Sequence, residues 1–311
     1  MEFVVQQLSI QDTSEYLEFL TAQSPWSMSL LYDLGHGITP DKKNGIYADW
    51  FGAFDGSGEL VGVTAQGGNG NVQVCSPERG ALPLLVKEWA ALRQQEIRPV
   101  KYFLGPTEQV ECFCAVAGLG AEAFVGNGGK FDFFTLDLDK MVKPSVLLQP
   151  GIVVDRARRK DITTISLYRQ DYHVEEDGAQ KNAATFRDAK EEMTRRIADP
   201  KNRDIFALYR NGHCYAFGGG DVFTLKPKGG EIWAKVGPVF VPKPERQKGY
   251  AQGLTAGMLT HLHEEKGVTE AALFANNPIA KRAYEKLNFD VFPERWSFNY
   301  LQTPMYAQAA L

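Results

Sequence analysis

Cysteine and histidine are scarce in this chain, and neither is grouped. Of the four cysteines, only Cys112 and Cys114 are close together, with Cys75 and Cys214 far apart from them. No second pair stands at zinc-site spacing, and each cysteine lies among apolar residues, so all four read as reduced, buried thiols. The five histidines are scattered; His261 and His263 are two apart and fall on different faces of a helix. No metal site is expected. No hydrophobic run is long enough to cross a bilayer, which argues against a membrane partner. Basic residues are not in excess: the net charge is −4 and the pI about 5.8, which argues against general nucleic-acid binding. The opening residues, MEFVVQQLSIQDTSEYLEFL, lack a basic leader and a signal-peptide core, so a mature, cytoplasmic chain is expected.

What is present is a soluble-type composition, 44% hydrophobic and 23% charged, over 311 residues. That length suits two domains. The most informative stretch is Val236 to Phe289. A short apolar run ends at Val241 and a Pro-rich, charged turn follows. Then Arg246-Gln247-Lys248-Gly249-Tyr250-Ala251 opens directly into a helix with Tyr250, Leu254, Met258 and Leu262 on one face. Gly249 lets the backbone pass close to a bulky ligand, where a Cβ would block it. The first helix amides have no intrahelical partner and sit at the positive end of the dipole. A strand, a glycine turn and a helix start together make a site for a phosphate or diphosphate. A second apolar strand, Glu270 to Phe274, ends at Asn276-Asn277-Pro278, and Pro278 suits the first turn of another helix. Ile279, Ala280, Ala283, Tyr284 and Leu287 line one face of it, and Asn288-Phe289 ends it.

These two motifs resemble those of the GNAT acyl-CoA N-acyltransferases. Arg246-x-x-Gly249-x-Ala251 is similar to the family's Gln/Arg-x-x-Gly-x-Gly/Ala acyl-CoA turn. Asn277, Ala280, Tyr284 and Asn288-Phe289 are similar to its next motif, with Asn288 in place of the usual glycine. Asparagine tolerates the left-handed conformation needed there. The resemblance implies a strand backbone at Val239, Phe240 and Val241 that pairs with the pantetheine arm of acetyl-CoA, the expected co-substrate. It also implies a diphosphate lying on the amides of Gln247 to Ala251, Tyr250 included, with Arg246 or Lys248 adding charge. Asn277 would hydrogen-bond the arm, and Tyr284 would donate to the departing sulfur.

Taken in order, the first half reads strand, two helices, three strands, helix, strand, helix, strand, from Phe3 to Leu138. Gly67 to Asn71 is a hairpin turn, since glycine and asparagine accept positive φ. The second half reads in the same order. An α+β (mixed α/β) chain of two GNAT-like domains is therefore expected, each a mixed, mostly antiparallel sheet flanked by helices. The expected limits are a degenerate copy at 1–141, a linker at 142–150 carrying Pro144 and Pro150, and the acyl-CoA-binding copy at 151–311. In the first copy the cofactor turn keeps only Gly80, and Pro83 removes an amide from the first turn.

In the second half, Asp161 is expected to cap a helix through Leu167. Gln170 to Glu176 then reads as a polar segment before a long helix from about Asn182 to Ile197. The resemblance places the acceptor near Asp171, His173, Glu175 and Glu176, which a cationic amine would suit; a solvated polar loop is the plainer reading. Gly218-Gly219-Gly220 is expected to break or bulge its strand. Lys226 to Gly230 reads as a turn, and Gln302 to Leu311 as a frayed tail. For the general base, Glu231 is the candidate on the strand that feeds the glycine turn, with Asp221 or a water chain as alternatives.

The function these features imply is direct transfer of an acyl group, acetyl above all, from acyl-CoA to a primary amine on a small molecule. A monomer or homodimer would serve. A non-catalytic acyl-CoA binder, or a transferase of aminoacyl or longer acyl groups, stands as the alternative.

Overall fold

A computed structural model of the chain describes residues 2–35, 37–39, 47–93, 99–125, 129–176, 178–198, 204–224 and 230–305. The expected turn at 226–230 and the tail beyond Met305 lie outside these residues, apart from Gly230. The elements are β1 (Val4–Leu8), α1 (Thr13–Ala22), α2 (Met28–Gly35), β2 (Ala48–Phe54), β3 (Leu60–Gly67), β4 (Asn71–Cys75), α3 (Leu82–Arg93), β5 (Val100–Pro106), α4 (Thr107–Val116) and β6 (Gly129–Asp137). They continue as β7 (Ile152–Arg156), α5 (Ile162–Glu176), α6 (Ala183–Ala198), β8 (Asp204–Arg210), β9 (His213–Thr224), β10 (Ile232–Phe240), α7 (Tyr250–Lys266), β11 (Glu270–Ala275), α8 (Pro278–Glu285) and β12 (Asp290–Met305). The order β-α-α-β-β-β-α-β-α-β thus occurs twice, as the sequence pattern implied.

Two compact units form, and their limits do not coincide with the repeat. The first comprises Met1–Phe133, Thr224–Gly230 and Pro293–Leu311; the second comprises Phe134–Phe223 and Glu231–Phe292. Two features separate these limits from those expected at 141 and 151. The last strand pairs antiparallel with β5, Trp296 opposite Pro106 and Tyr300 opposite Tyr102. The stretch expected as a linker sends Val146 into the core of the second unit, beside Tyr250 and Leu254. Gln302 to Met305, expected as frayed, continues β12, where Met305 is registered with Val100.

In the first unit, β1 through β4 pair antiparallel in sequence order, and β5 adds parallel to β4. The β3–β4 hairpin closes as expected, its turn tied by Gly70 N–H to the Gly67 carbonyl at 3.1 Å. Trp89 of α3 is fully buried against Phe103 and Phe113, and its indole N–H donates to Gln66 Oε1 at 2.8 Å. A buried indole keeps its polar end satisfied in this way.

In the second unit, β7, β8 and β9 pair antiparallel, and β10 and β11 pair parallel. The parallel pair is joined by α7, as a crossover helix requires. Leu254, Met258 and Leu262 of α7 are wholly buried, and each contributes about 1.5–3 kcal/mol of apolar burial. The three glycines of β9 do not break it. Gly218, Gly219 and Gly220 face Phe206, Ile205 and Asp204 in unbroken register. What they provide is room: a Cβ on Gly220 would meet Leu262 of α7 at 2.7 Å, and one on Gly219 would meet the Gly237 carbonyl at 2.9 Å. The irregularity falls instead at Leu208 and Tyr209. The segment Gln170 to Glu176 is not a loop but the last two turns of α5. Asp161 ends the short 3-10 turn before α5, and its carboxylate accepts from the Tyr209 hydroxyl at 2.9 Å.

Candidate functional site

The parallel ladder between β10 and β11 is short. It registers Trp233 with Glu270, Ala234 with Ala271 and Lys235 with Ala272, and goes no further, although β10 runs on to Phe240 and β11 to Ala275. Past Lys235 the two strands part with their backbones unpaired to each other. Each then hands the chain to a helix at the same end: β10 to α7 through the turn 241–249, and β11 to α8 through Asn276 and Asn277.

The turn has an unusual backbone. Gln247 (φ 66°) and Gly249 (φ 78°, ψ 4°) are both left-handed, and Gly249 is the N-cap of α7. A Cβ on Gly249 would meet only Val146, at 3.4 Å, so within the protein the conformation, not crowding, requires glycine. As an N-cap without a side chain, Gly249 leaves the first amides of α7 without a competing cap oxygen. Arg246 is fixed from three sides. Its Nε donates to the Val241 carbonyl at 2.9 Å, its guanidinium donates to Glu175 Oε2 at 2.6 Å, and its plane lies 5.6 Å from the Phe240 ring centre. Lys248 pairs with Glu245 at 2.8 Å, and Lys243 reaches Glu175 at 3.8 Å. Both cations that would add charge to a diphosphate therefore already hold a carboxylate.

The other expected contacts divide by burial. Tyr250 is buried at 2% exposure, edge-on to Tyr215, with its hydroxyl accepting from Arg210 at 3.2 Å. It packs α7, and only its amide faces the turn's task. Phe240, the last residue of β10, and Val241 after it are core residues too, in separate clusters, while Val239 and Ala251 are half-buried against the same core as Val241. Asn277 is exposed and caps α8, its side-chain oxygen accepting from Ile279 N–H at 2.8 Å. Asn288 adopts φ 73°, the left-handed closing residue its position called for.

Tyr284, on α8, packs between Phe134 and Phe289 with ring centres 6.3 and 5.8 Å away. Burial first, then the nearby Tyr172 and the Glu176 carboxylate, push its phenol well above the ordinary tyrosine range. It is a neutral O–H at any physiological pH. The end of α5 thus stands beside both Tyr284, through Tyr172 and Glu176, and the glycine turn, through Glu175. Of the expected acceptor residues, Asp171 is paired with Lys181 at 2.5 Å and His173 Nε2 lies 3.8 Å from Glu192.

Glu231 is not brought to this site. It precedes β10 at the end opposite the turn, roughly 30 Å along the strand from Phe240 at ~3.3 Å per residue, and its carboxylate accepts from the Trp233 indole at 3.3 Å. Asp221 faces a guanidinium, with Arg196 3.4 Å away. Arg196 belongs to a group that no motif announced. It is 8% exposed and also donates to Glu192 at 3.2 Å, while Glu192 accepts from Arg169 at 2.9 Å. Burial by itself would raise Glu192, but the His173 contact and the two arginines outweigh it and hold the carboxyl at about 2. The i,i+4 spacing of Glu192 and Arg196 on one helix was the available signal.

The cysteines are all free, and burial pushes the Cys75, Cys114 and Cys214 thiols up to about 12. No group of three or more His, Cys, Asp or Glu suited to a metal occurs among the described residues, and none of the described helices is long and apolar enough to cross a membrane.

Residues 162–289 match the model of the acetyltransferase (GNAT) family. Among solved structures, a tandem GNAT protein from the clavulanic acid biosynthesis pathway is 14% identical, with all of both chains covered and a TM-score of 0.59. A GNAT-family acetyltransferase from Colwellia psychrerythraea is 16% identical over 96% of this chain and 99% of its own, with a TM-score of 0.52. A Drosophila protein is 12% identical over 96% and 99%, with a TM-score of 0.59. No curated protein matches the chain. At these identities the structures speak to the fold, a mixed α/β arrangement shared with a tandem GNAT protein, and the family match speaks to the domain. Residues 162–289 form an acyl-CoA-dependent N-acyltransferase domain of the GNAT family.

Proposed function

We propose that the second unit moves an acetyl group from acetyl-CoA directly to a primary amine on a small molecule, with both substrates bound together. The observation that carries this is the joint placement of three features at one end of a parallel strand pair: the parting of β10 from β11, the left-handed Gly249 at the mouth of α7, and Tyr284 on α8. The parted edge of β10 offers backbone groups to an extended, amide-bearing arm. The amides of Gln247 to Ala251 receive a diphosphate at the positive end of the helix. Holding donor and amine side by side supplies most of the rate, because it removes the entropy of encounter.

Acyl transfer leaves a thiolate, and the thiolate needs a proton or a strong hydrogen bond. Tyr284 is fitted for the second of these, because its phenol is a neutral O–H that can donate a hydrogen bond to the sulfur. The amine must arrive neutral, and Glu175 and Glu176 at the end of α5 line its approach, with Asp171 and His173 one turn behind. Glu175 is shared with Arg246, so amine recognition and diphosphate binding meet on one carboxylate. The N-terminal copy, 1–141 by the repeat, takes no part in this chemistry in our reading.

The test is thiol release from acetyl-CoA across a panel of small primary amines. Tyr284→Phe should lower kcat by about 10²-fold or more, as expected for removing a positioned acid, and leave the CoA Kd unchanged. Tight CoA binding with no turnover on any amine would replace this reading with that of a non-catalytic acyl-CoA binder.

A further inference from the structure

The first unit contains a layer of polar side chains for which the proposed acyltransfer has no use. Trp50 of β2, Ala65 of β3 and Gln73 of β4 are direct cross-strand neighbours, so the three side chains stand in a row on one sheet face. Two helices cover that face. Tyr16 of α1 stacks on Trp50 with ring centres 5.4 Å apart, and Asp33 of α2 accepts a hydrogen bond from Gln73 Nε2. Ser29 lies one turn before Asp33, on the same face of α2.

Three polar atoms in this layer are buried and have no hydrogen-bond partner: Trp50 Nε1, Gln73 Oε1 and Ser29 Oγ. Their residues are 0, 2 and 4% exposed. Each such atom costs about 1–3 kcal/mol when nothing meets it, and a fold does not gather several in one layer without a return. The middle of the row is Ala65, with the smallest side chain of the three. Trp50 and Gln73 sit two strands apart, roughly 10 Å at the backbone, with only the methyl of Ala65 between them in the row.

We propose that this layer is a binding site for a small, neutral molecule bearing a primary carboxamide. The atoms define the class. The indole nitrogen can only donate. The orientation of Gln73 is set by Asp33, whose carboxylate can only accept, so the Gln73 atom left over is its acceptor oxygen. Ser29 can do either. The complement is one acceptor beside two donors, which is a carboxamide: its oxygen takes the Trp50 N–H, and its NH2 group donates to Gln73 Oε1 and Ser29 Oγ. A carboxylate would face the Gln73 oxygen and the Asp33 carboxylate with no donor to offer. An ammonium group would leave the indole unmet.

Saturation-transfer NMR on the full chain tests this with acetamide as the probe and N,N-dimethylacetamide, which has no N–H, as its control. Transfer to the acetamide methyl is expected. It should be severalfold weaker for dimethylacetamide, and severalfold weaker for acetamide in Ser29→Ala and in Trp50→Phe. Because Ser29→Ala removes an unmet hydroxyl, its Tm should equal or exceed that of the parent, and it decides the matter if Trp50→Phe does not fold. No transfer to acetamide, equal transfer to the two amides, or undiminished transfer in Ser29→Ala would overturn the proposal and leave a buried water as the occupant of the layer.

Discussion

Arg246 and Glu175 meet at 2.6 Å, joining the turn before α7 to the last turn of α5. The guanidinium is part-exposed, so the pair adds at most about 1 kcal/mol to stability. Its effect is on binding. While Glu175 is charged, it neutralises the guanidinium that adjoins the amides of Gln247 to Ala251. Glu175→Gln should therefore tighten CoA severalfold at low salt, with the gain fading as salt screens it. The same variant should raise the KM of the amine, since the carboxylate at its approach is gone. Calorimetric titration with CoA and steady-state kinetics on the amine read the two effects separately. A weaker CoA complex would show that Glu175 serves by positioning Arg246, not by competing for it.

At Gly249 the constraint is conformational. With φ at 78° and only Val146 near the place a Cβ would take, Gly249→Ala should cost roughly 1–2 kcal/mol, the penalty of a left-handed L-residue. A denaturant midpoint measures this. Gly249→Glu adds a negative charge where a diphosphate must lie, so it should weaken CoA about 100-fold or more beyond the alanine variant. Equal CoA affinities in the two variants would place the diphosphate elsewhere.

The glycine turn and the Asn277–Phe289 helix were legible because each is specified locally. A left-handed glycine, an N-capping asparagine with proline after it, and a fourfold apolar repeat each fix a few dihedrals without help from the rest of the chain. The end of α5 was not legible, because Tyr172, His173, Glu175 and Glu176 have no apolar period of their own. Their helix is held by distant partners: Phe240 against Tyr172, Glu192 against Arg169, Arg246 against Glu175. The glycines of β9 misled for a related reason. Their value lies in what packs above them, Leu262 and Arg196, which strand propensity does not register. Glu231 precedes the strand that feeds the turn and stands at the end away from it, a separation that residue type does not encode. The unit limits were illegible because the partner of β12 is β5, nearly two hundred positions earlier in the chain.

Glu192 makes stability depend on acid. Its carboxyl is held at about 2, below the ordinary value of 4.5 that it takes when unfolded. A depressed acid stabilises the fold at all pH values above the unfolded value and loses that contribution as pH falls from 4.5 toward 2. Glu192→Gln should destabilise at neutral pH, on the order of 3 kcal/mol because Arg196 is left buried with one charged partner fewer. The gap between the variant and the parent should close as the solution is acidified through that window. Melting temperatures from pH 7 down to the acid limit, for both proteins, measure it. A gap that stays constant would mean that Glu192 acts by packing alone.

Glu270 should show the opposite trend. It opens β11 at the end of the sheet away from the glycine turn. Burial first, then the carboxylates of Asp137 and Glu231, raise it to about 7, with Lys140 offsetting part of the effect. A raised acid binds its proton more tightly when folded than when unfolded. The fold is therefore penalised for ionising it, fully above pH 7 and not at all below 4.5, and stability rises as pH falls between the two. Glu270→Gln, which cannot ionise, should melt higher than the parent at pH 8 and at the same temperature near pH 4. Because Glu270 is only partly buried, solvent screening limits the gain to about 1 kcal/mol. Glu231→Gln removes one of the three carboxylates, with Asp137 and Asp139, that raise Glu270. It should give a smaller gain over the same interval while leaving acyl transfer untouched, since its carboxylate stands at the far end of β10. A fall in turnover with Glu231→Gln, at unchanged melting temperature, would return that residue to the catalytic machinery.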